Sequence, residues 1–243
     1  MTIRILVNGS QGKMGLEIVK AVQNDAAFSL VGQTGKNDNL FEAIKNSQAQ
    51  IVVDFTTPAV AYENTLSIIK ANAHPVIGTT GLSLEQVEKL KQLCAEKKLG
   101  GIIAPNFSIG AVLMMKFAKE AAKYFPNAEI IEFHHTAKKD SPSGTAIKTA
   151  DMIAENRQMT APQQATHEII AGARGAVRHN IAIHAVRLPG FVASQEVIFG
   201  SLGETLRISH NPIHREAFME GILLACKKVV SLDHLIYGLE DLL

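Results

Sequence analysis

Ile3-Arg4-Ile5-Leu6-Val7-Asn8-Gly9-Ser10-Gln11-Gly12-Lys13-Met14-Gly15 is the stretch that decides the fold. Its first five residues form a short β-branched run, and Asn8-Gly9 ends it. Helical periodicity takes over from Lys13 to Gln23. A glycine turn between a strand and a helix lets backbone N–H groups approach a pyrophosphate at the helix N-terminus. The glycines fall as G-x-x-G-x-x-G rather than the usual G-x-G-x-x-G. Gly9, Ser10, Gln11, Gly12, Lys13 and Met14 are therefore candidate cofactor contacts. The competing reading is a strand–helix turn whose glycines serve packing alone.

The same alternation continues outward. Phe28 to Gly32 reads as a second strand, followed by the turn residues Gly35, Asn37, Asp38 and Asn39. Ile51 to Val53 reads as a third, ending in Asp54, and Pro58 suits the first turn of a helix running to Asn72. Pro75 to Ile77 leads into Gly78-Thr79-Thr80-Gly81. Ser83 and Gln86 have the spacing of a capping box, and Gly101 to Ala104 reads as a fifth strand. Short apolar strands alternating with helices imply a parallel sheet covered on both faces, with ligands at the carboxyl ends of its strands. The loops to inspect are thus 8–15, 33–38, 54–58, 78–81 and 104–108. A carboxylate ending the second strand would bind the ribose of NAD. Here Lys36 follows that strand, with Asp38 two residues on, which leans towards NADPH; a solvated loop lysine is the alternative.

The second half changes character. After a helix near Ile109–Lys123, Glu129 to Phe133 is strand-like and runs into His134-His135. A helix from Gly144 to Asn156 follows a loop, and 157–179 reads as a polar, mobile excursion. Ile181–Arg187, Val192–Phe199 and Glu204–Ser209 alternate like antiparallel strands, and a final helix spans Ile213 to Val230. The whole reads as a nucleotide-binding half followed by an α+β half.

Composition sets the outer limits. Apolar residues make up 47% and charged residues 19%, which excludes an intrinsically disordered chain. With 24 Lys and Arg against 23 Asp and Glu, a strongly basic nucleic-acid binder is not indicated. No apolar run is long enough for a membrane span, and the first residues lack signal-peptide features. Cys94 and Cys226 build no disulfide framework. A cytoplasmic protein with no membrane or nucleic-acid partner is the expectation.

The densest chemistry lies in Glu132-Phe133-His134-His135-Thr136-Ala137-Lys138-Lys139-Asp140-Ser141-Pro142-Ser143-Gly144-Thr145-Ala146. Ser143, Gly144 and Thr145 open a helix whose N–H groups and hydroxyls suit a carboxylate, and Lys138 adds positive charge. A histidine on such a loop can move protons near neutral pH. Neighbouring His134 and His135 alternate faces at a strand end, and no Cys or further histidine beside them completes a zinc set, so no metal is expected.

This stretch closely resembles the 4-hydroxy-tetrahydrodipicolinate reductase (dihydrodipicolinate reductase) family. Its pattern, E-x-H-H-x-x-K-x-D-x-P-S-G-T-A, is met at every specified position of 132–146. The resemblance extends to Gly9–Gly15, Asp54-Phe55-Thr56, Gly78-Thr79-Thr80-Gly81 and Ala104-Pro105-Asn106-Phe107-Ser108, and spans nearly the whole chain. It implies an α/β architecture: a Rossmann-like parallel-sheet cofactor domain over 1–106 and 213–243, plus an α+β substrate and oligomerisation domain over 107–212. It implies NAD(P)H-dependent reduction of a cyclic dicarboxylate imine in lysine biosynthesis via diaminopimelate, by a homotetramer. His134 and Lys138 match the family's proton-handling residues, His135 a substrate contact, and Gly144-Thr145 its carboxylate-binding pair. Gly9–Met14, Gly78–Thr80 and Ala104–Phe107 match cofactor contacts. The sequence departs from the pattern at Gly35, where the family has an acidic residue beside the base now at Lys36. It departs again at Gly190–Glu196, in the region that builds the tetramer. Rivals are another NAD(P)-linked reductase of a small dicarboxylate and a non-catalytic nucleotide-binding redox sensor.

Overall fold

The computed structural model describes residues 2–158 and 167–243, which divide into two compact units. One comprises the chain through Ile109 together with Arg215–Leu243; the other is Gly110–His214. These boundaries fall a few residues after the expected 106 and 212, because a helix begins at Ile109 and a 3-10 turn at Arg215.

The first unit is built on six parallel strands: β1 (Ile3–Asn8), β2 (Phe28–Thr34), β3 (Ile51–Asp54), β4 (His74–Ile77), β5 (Gly101–Ile103) and β11 (Leu235–Tyr237). Their order is β2-β1-β3-β4-β5-β11. Consecutive residues of β1 and β3, Ile5 to Val7 and Ile51 to Val53, are all fully buried, so both faces are covered. Leu6, Val52 and Ile77 share one core with Leu40 and Ile44 of α2 (Leu40–Ser47), Ile68 of α3 (Pro58–Lys70), and Leu90 of α4 (Leu84–Lys97). Each such fully buried aliphatic side chain contributes about 1.5–3 kcal/mol relative to exposure. Elsewhere in the unit α1 (Lys13–Asn24) packs against α7 (Met219–Val229), with Lys227 Nζ 2.7 Å from Asp25 Oδ2. The capping box at Ser83 forms, Gln86 and Ser83 exchanging bonds of 2.9 and 3.2 Å. Among the elements of this unit absent from the sequence reading are α2, whose N-cap Asn39 accepts from Glu42 N at 3.2 Å, and β11. The final helix starts later than Ile213, at Met219, after a 3-10 turn over Arg215–Phe218.

The second unit begins with α5 (Ile109–Ala121) and carries a mixed sheet of β6 (Asn127–His134), β7 (Ala176–Arg178), β8 (Ile181–Arg187), β9 (Ala193–Ser201) and β10 (Glu204–His210). The order is β10-β9-β6-β8-β7, with β6 parallel to β8 and antiparallel to β9. The three strands after 181 do alternate in direction as expected, but only β9 and β10 are neighbours, because β6 inserts between β8 and β9. After β6 and α6 (Gly144–Asn156) the chain enters the sheet as the edge strand β7 and turns back at His179-Asn180 into β8, which therefore runs parallel to β6; β6 separates β8 from β9. In β6 the buried positions are Ala128, Ile130 and Glu132, every second residue, while α6 buries Ala146, Thr149, Ala150 and Ile153. The expected excursion over 157–179 falls partly on 159–166, outside the described residues. Of its remainder, Arg178 pairs with Asp151 (Nε to Oδ1 2.6 Å) and β7 lines the sheet edge. Among the described residues no helix is long and apolar enough to cross a membrane.

Candidate functional site

Two groups of side chains collect the residues singled out above, one in each unit. In the first unit β1 has β2 on one side and β3 on the other. That reversal of strand order is where open parallel sheets bind ligands. A cleft of about 340 Å³ lies there, lined by Gly12, Lys13, Met14, Phe55, Thr56, Pro58, Gly78, Thr79 and Thr80. Helix α1 starts beside it with no side-chain cap on Gly12 and no acidic residue in its first turn. Its leading N–H groups and the positive end of its dipole are left for an external anion, and this uncapped start fits a pyrophosphate.

Glycine is required at two neighbouring positions by packing. Gly9 has φ +79°, and a Cβ there would stand 2.6 Å from the Phe55 carbonyl oxygen; a Cβ on Gly15 would stand 2.1 Å from the Gly9 oxygen. Gly9 N and Ser10 N both donate to Thr34 O, at 2.8 and 3.1 Å, tying the turn to β2. Gly12, Lys13, Met14, Gly78, Thr79 and Thr80 are thus brought together, whereas Gln11 and Lys36 are exposed outside the lining. Asp38 Oδ2 accepts from Gly35 N at 2.8 Å, folding that carboxylate back onto the end of β2. Ala104 and Phe107 are buried, Phe107 against Phe55 at 5.8 Å between ring centres; Pro105 is exposed and Asn106 accepts from Ser108 N at 2.8 Å. Phe55, Thr56 and Pro58 join the lining without having been singled out as contacts.

Beneath the cleft, fully buried Asp54 holds the loops in place. Its Oδ1 accepts from Thr56 N (3.2 Å), Thr56 Oγ1 (2.8 Å) and Thr79 Oγ1 (2.8 Å). Its Oδ2 accepts from Asn8 Nδ2 at 2.7 Å and Asn64 Nδ2 at 2.9 Å. The geometry is that of a cap for the turn that follows β3.

In the second unit β6 ends at His134, and alternation puts Glu132 and His134 on the same face of the sheet. His134 Nδ1 is hydrogen-bonded to Glu132 Oε2, which is fully buried. Arg187, opposite His134 in the β6–β8 register, grips the same carboxylate with two donors: Nη2 to Oε1 at 2.7 Å and Nη1 to Oε2 at 2.8 Å. Burial by itself raises the Glu132 pKa, but bonds from Arg187 and His134 outweigh it and hold the carboxyl below its ordinary value of 4.5. For His134 burial dominates and pushes the ring below 6.5; the opposing pull of Glu132 is offset in part by the positive charges of Lys138 and Arg187. An ionised acceptor at Nδ1 makes that nitrogen the N–H, so the neutral ring carries its lone pair on Nε2.

Lys138 lies on the following loop with Nζ 2.9 and 2.8 Å from the two Asp140 oxygens, and it holds the Asp140 carboxyl below its usual range. His135 is exposed. Ser143 is the N-cap of α6: its Oγ accepts from Ala146 N at 3.2 Å and its N–H donates to Glu132 Oε1 at 3.2 Å. It therefore faces inward, while Gly144 has open space where a side chain would be. Glu132, Arg187 and Asp140 are site neighbours that the sequence reading did not single out. The signal for Glu132 was available, since a carboxylate continues the inward row of Ala128 and Ile130. Among the described residues no group of three or more His, Cys, Asp or Glu side chains is placed to hold a metal ion.

An uncapped helix at the reversal of a parallel sheet suits a nucleotide, and in the other unit a carboxylate-bound histidine suits proton transfer; these are the parts of a nucleotide-dependent oxidoreductase. Residues 3–107 match the family described as "Dihydrodipicolinate reductase, N-terminus" and residues 110–243 match "Dihydrodipicolinate reductase, C-terminus". The chain is similar over its full length, and the full length of each relative, to 4-hydroxy-tetrahydrodipicolinate reductases of Legionella pneumophila (strain Philadelphia 1; 52% identical) and Coxiella burnetii (strain Dugway 5J108-111; 51%). A solved structure, the dipicolinate-bound dihydrodipicolinate reductase of Paenisporosarcina sp. TG-14, is 41% identical with a TM-score of 0.90, each chain covered completely. The chain belongs to the dihydrodipicolinate reductase family.

Proposed function

We propose that this chain reduces 4-hydroxy-tetrahydrodipicolinate to tetrahydrodipicolinate at the expense of NADPH or NADH, in lysine biosynthesis via diaminopimelate. The observation that carries this reading is the cluster at the end of β6. His134 is wired to a buried carboxylate, with Lys138 and the start of α6 beside it. When bound in the first unit, the reduced nicotinamide supplies a hydride. Gly12, Lys13 and Met14 would hold its pyrophosphate, with Gly78, Thr79 and Thr80 across the cleft. Lys36, exposed just past β2, is the residue to meet a 2′-phosphate, which favours NADPH.

A dianionic substrate needs cations and N–H donors. Among the described residues the Lys138 ammonium is held by Asp140, an exposed partner, and surface pairs of this kind are worth at most about 1 kcal/mol. Its ammonium is therefore free to exchange that carboxylate for one of the substrate's. Gly144 and Thr145 offer the start of α6 to a carboxylate, Ser143 fixes that start as its cap, and His135 adds a solvent-facing contact. His134 handles the proton that completes saturation, through Nε2. We further place the protein in the cytoplasm as a homotetramer assembled through the mixed sheet. Exposed Leu202 and Leu206 on the β9–β10 hairpin support that surface, and light scattering tests it.

Calorimetric titration with dipicolinate in the presence of cofactor tests the site. Wild type should bind it, and Lys138→Ala should lose most of that affinity while NADPH affinity stays unchanged. Loss of NADPH binding in the variant, with dipicolinate binding intact, would overturn the assignment.

A further inference from the structure

We infer that Glu132 and Arg187 are positioning residues for this reduction: one ion pair, its carboxylate fully buried and its guanidinium half-buried, sets the His134 tautomer and anchors both segments that flank it. The inference rests on the function proposed above and adds two residues to it.

Four hydrogen bonds converge on Glu132. Oε2 receives His134 Nδ1 and Arg187 Nη1, while Oε1 receives Arg187 Nη2 and Ser143 N. Arg187 Nη2 also donates to the Asp140 carbonyl at 2.8 Å, and Nη1 to the Val186 carbonyl at 2.8 Å. Three pieces of chain are thereby referenced to one carboxylate–guanidinium pair: the end of β6, the 138–140 loop and the start of α6. Those pieces carry His134, Lys138 and Gly144–Thr145.

Stability alone is a poor reason for such a pair, because well-packed apolar residues often replace a buried salt bridge without loss. Geometry is a better one. A planar guanidinium gripping both oxygens leaves the carboxylate a single orientation, and the ring must then present N–H at Nδ1. The nitrogen left to work is Nε2. The charged groups facing the ring are Glu132 from its own strand, Arg187 from β8, and Lys138 with Asp140 from the loop. Glu132 and Arg187 act through His134 and Lys138 and need not touch substrate.

Replacing Glu132 by Gln separates position from packing. The amide is the same size, and its oxygen can still accept from Arg187. Its NH2 then faces Nδ1 and drives the ring proton to Nε2. Ring-labelled histidine NMR on the substrate-free protein should show His134 as the Nδ1–H tautomer in wild type. In Glu132→Gln the Nε2–H tautomer should appear and the ring should titrate at lower pH. Turnover should fall about 100-fold, the scale of lost acid–base catalysis, with KM for NADPH unchanged. Arg187→Lys, which keeps charge but not the fork, should lower kcat by an intermediate factor. It serves as the second variant if Glu132→Gln does not fold. A His134 ring with unchanged tautomer and titration in folded Glu132→Gln, or wild-type kcat in Arg187→Lys, would overturn the inference. The NMR readout needs no substrate, so a ring that responds as expected in a protein without turnover would retire the functional reading and not the wiring.

Discussion

Removing the Asp54 carboxylate should loosen the whole floor of the nucleotide cleft. Five donor contacts converge on this fully buried side chain, from Asn8, Asn64, Thr79 and two groups of Thr56. In Asp54→Ala some donors find other partners: Thr56 N already contacts Thr79 Oγ1 at 2.8 Å, and Asn64 Nδ2 contacts Thr56 Oγ1 at 3.1 Å. Asn8 Nδ2 does not, and the Thr79 hydroxyl keeps only a long contact of 3.4 Å to the Asp54 carbonyl. Two buried donors stranded at about 1–3 kcal/mol each give a loss of about 2–6 kcal/mol, less whatever water recovers; the part-buried Thr56 hydroxyl, which loses its acceptor as well, turns to solvent. That is a large share of the roughly 5–15 kcal/mol by which domains are stable. Asp54→Asn keeps one acceptor but turns an NH2 towards other donors, and should cost about 2 kcal/mol. Urea unfolding followed by circular dichroism reads the first effect. NADPH titration reads the second: Thr56 and Thr79 line the cleft, so Kd should rise about tenfold, equivalent to 1.4 kcal/mol. An Asp54→Ala protein within about 0.5 kcal/mol of wild type, the range of ordinary surface substitutions, would refute the reasoning.

Three further outcomes follow from the same geometry. His134 and His210 are held below 6.5 chiefly by burial, and Glu132, Glu129 and Asp151 lie below their ordinary carboxylate values. The unfolded chain therefore takes up protons first: stability should be greatest above about pH 6.5 and fall on acidification, first with the histidines, then through the carboxylate range. Urea midpoints that stay flat or rise between about pH 8 and about pH 4 would contradict this. Burial pushes the Cys94 thiol up to about 12 and raises that of Cys226 further, so native protein should resist iodoacetamide and react only once unfolded. Rapid labelling of either would show that these helices open. Lys36→Ala should weaken NADPH at least tenfold more than NADH, the scale of one charge-assisted contact; equal losses would end the 2′-phosphate assignment.

How much of this was legible from sequence varies with the range of the interactions involved. The βα turn at Gly9–Gly15, the Ser83–Gln86 capping box and the start of α6 at Gly144 are local, and each is visible in a few consecutive residues. Helix α2 was hidden because Gly35–Asn39 looks like the end of an element, although Asn39 is also its cap and Leu40 and Ile44 its buried stripe. Strand β11 has three residues and exists through parallel pairing with β5, more than 130 positions away in the chain. At the site, His134 and Lys138 announce themselves by residue type. Arg187 does not: it reaches Glu132 because the β7–β8 hairpin lays β8 parallel alongside β6, a consequence of topology.

Turnover is the most direct measurement of what this chain does. Purified protein with NADPH, coupled to the synthase that condenses pyruvate with aspartate semialdehyde, should consume nicotinamide absorbance only when both carbon substrates are present. Lys138→Ala should all but abolish that consumption. A protein that binds NADPH yet shows no substrate-dependent loss of absorbance would contradict the assignment of this chain as a working reductase.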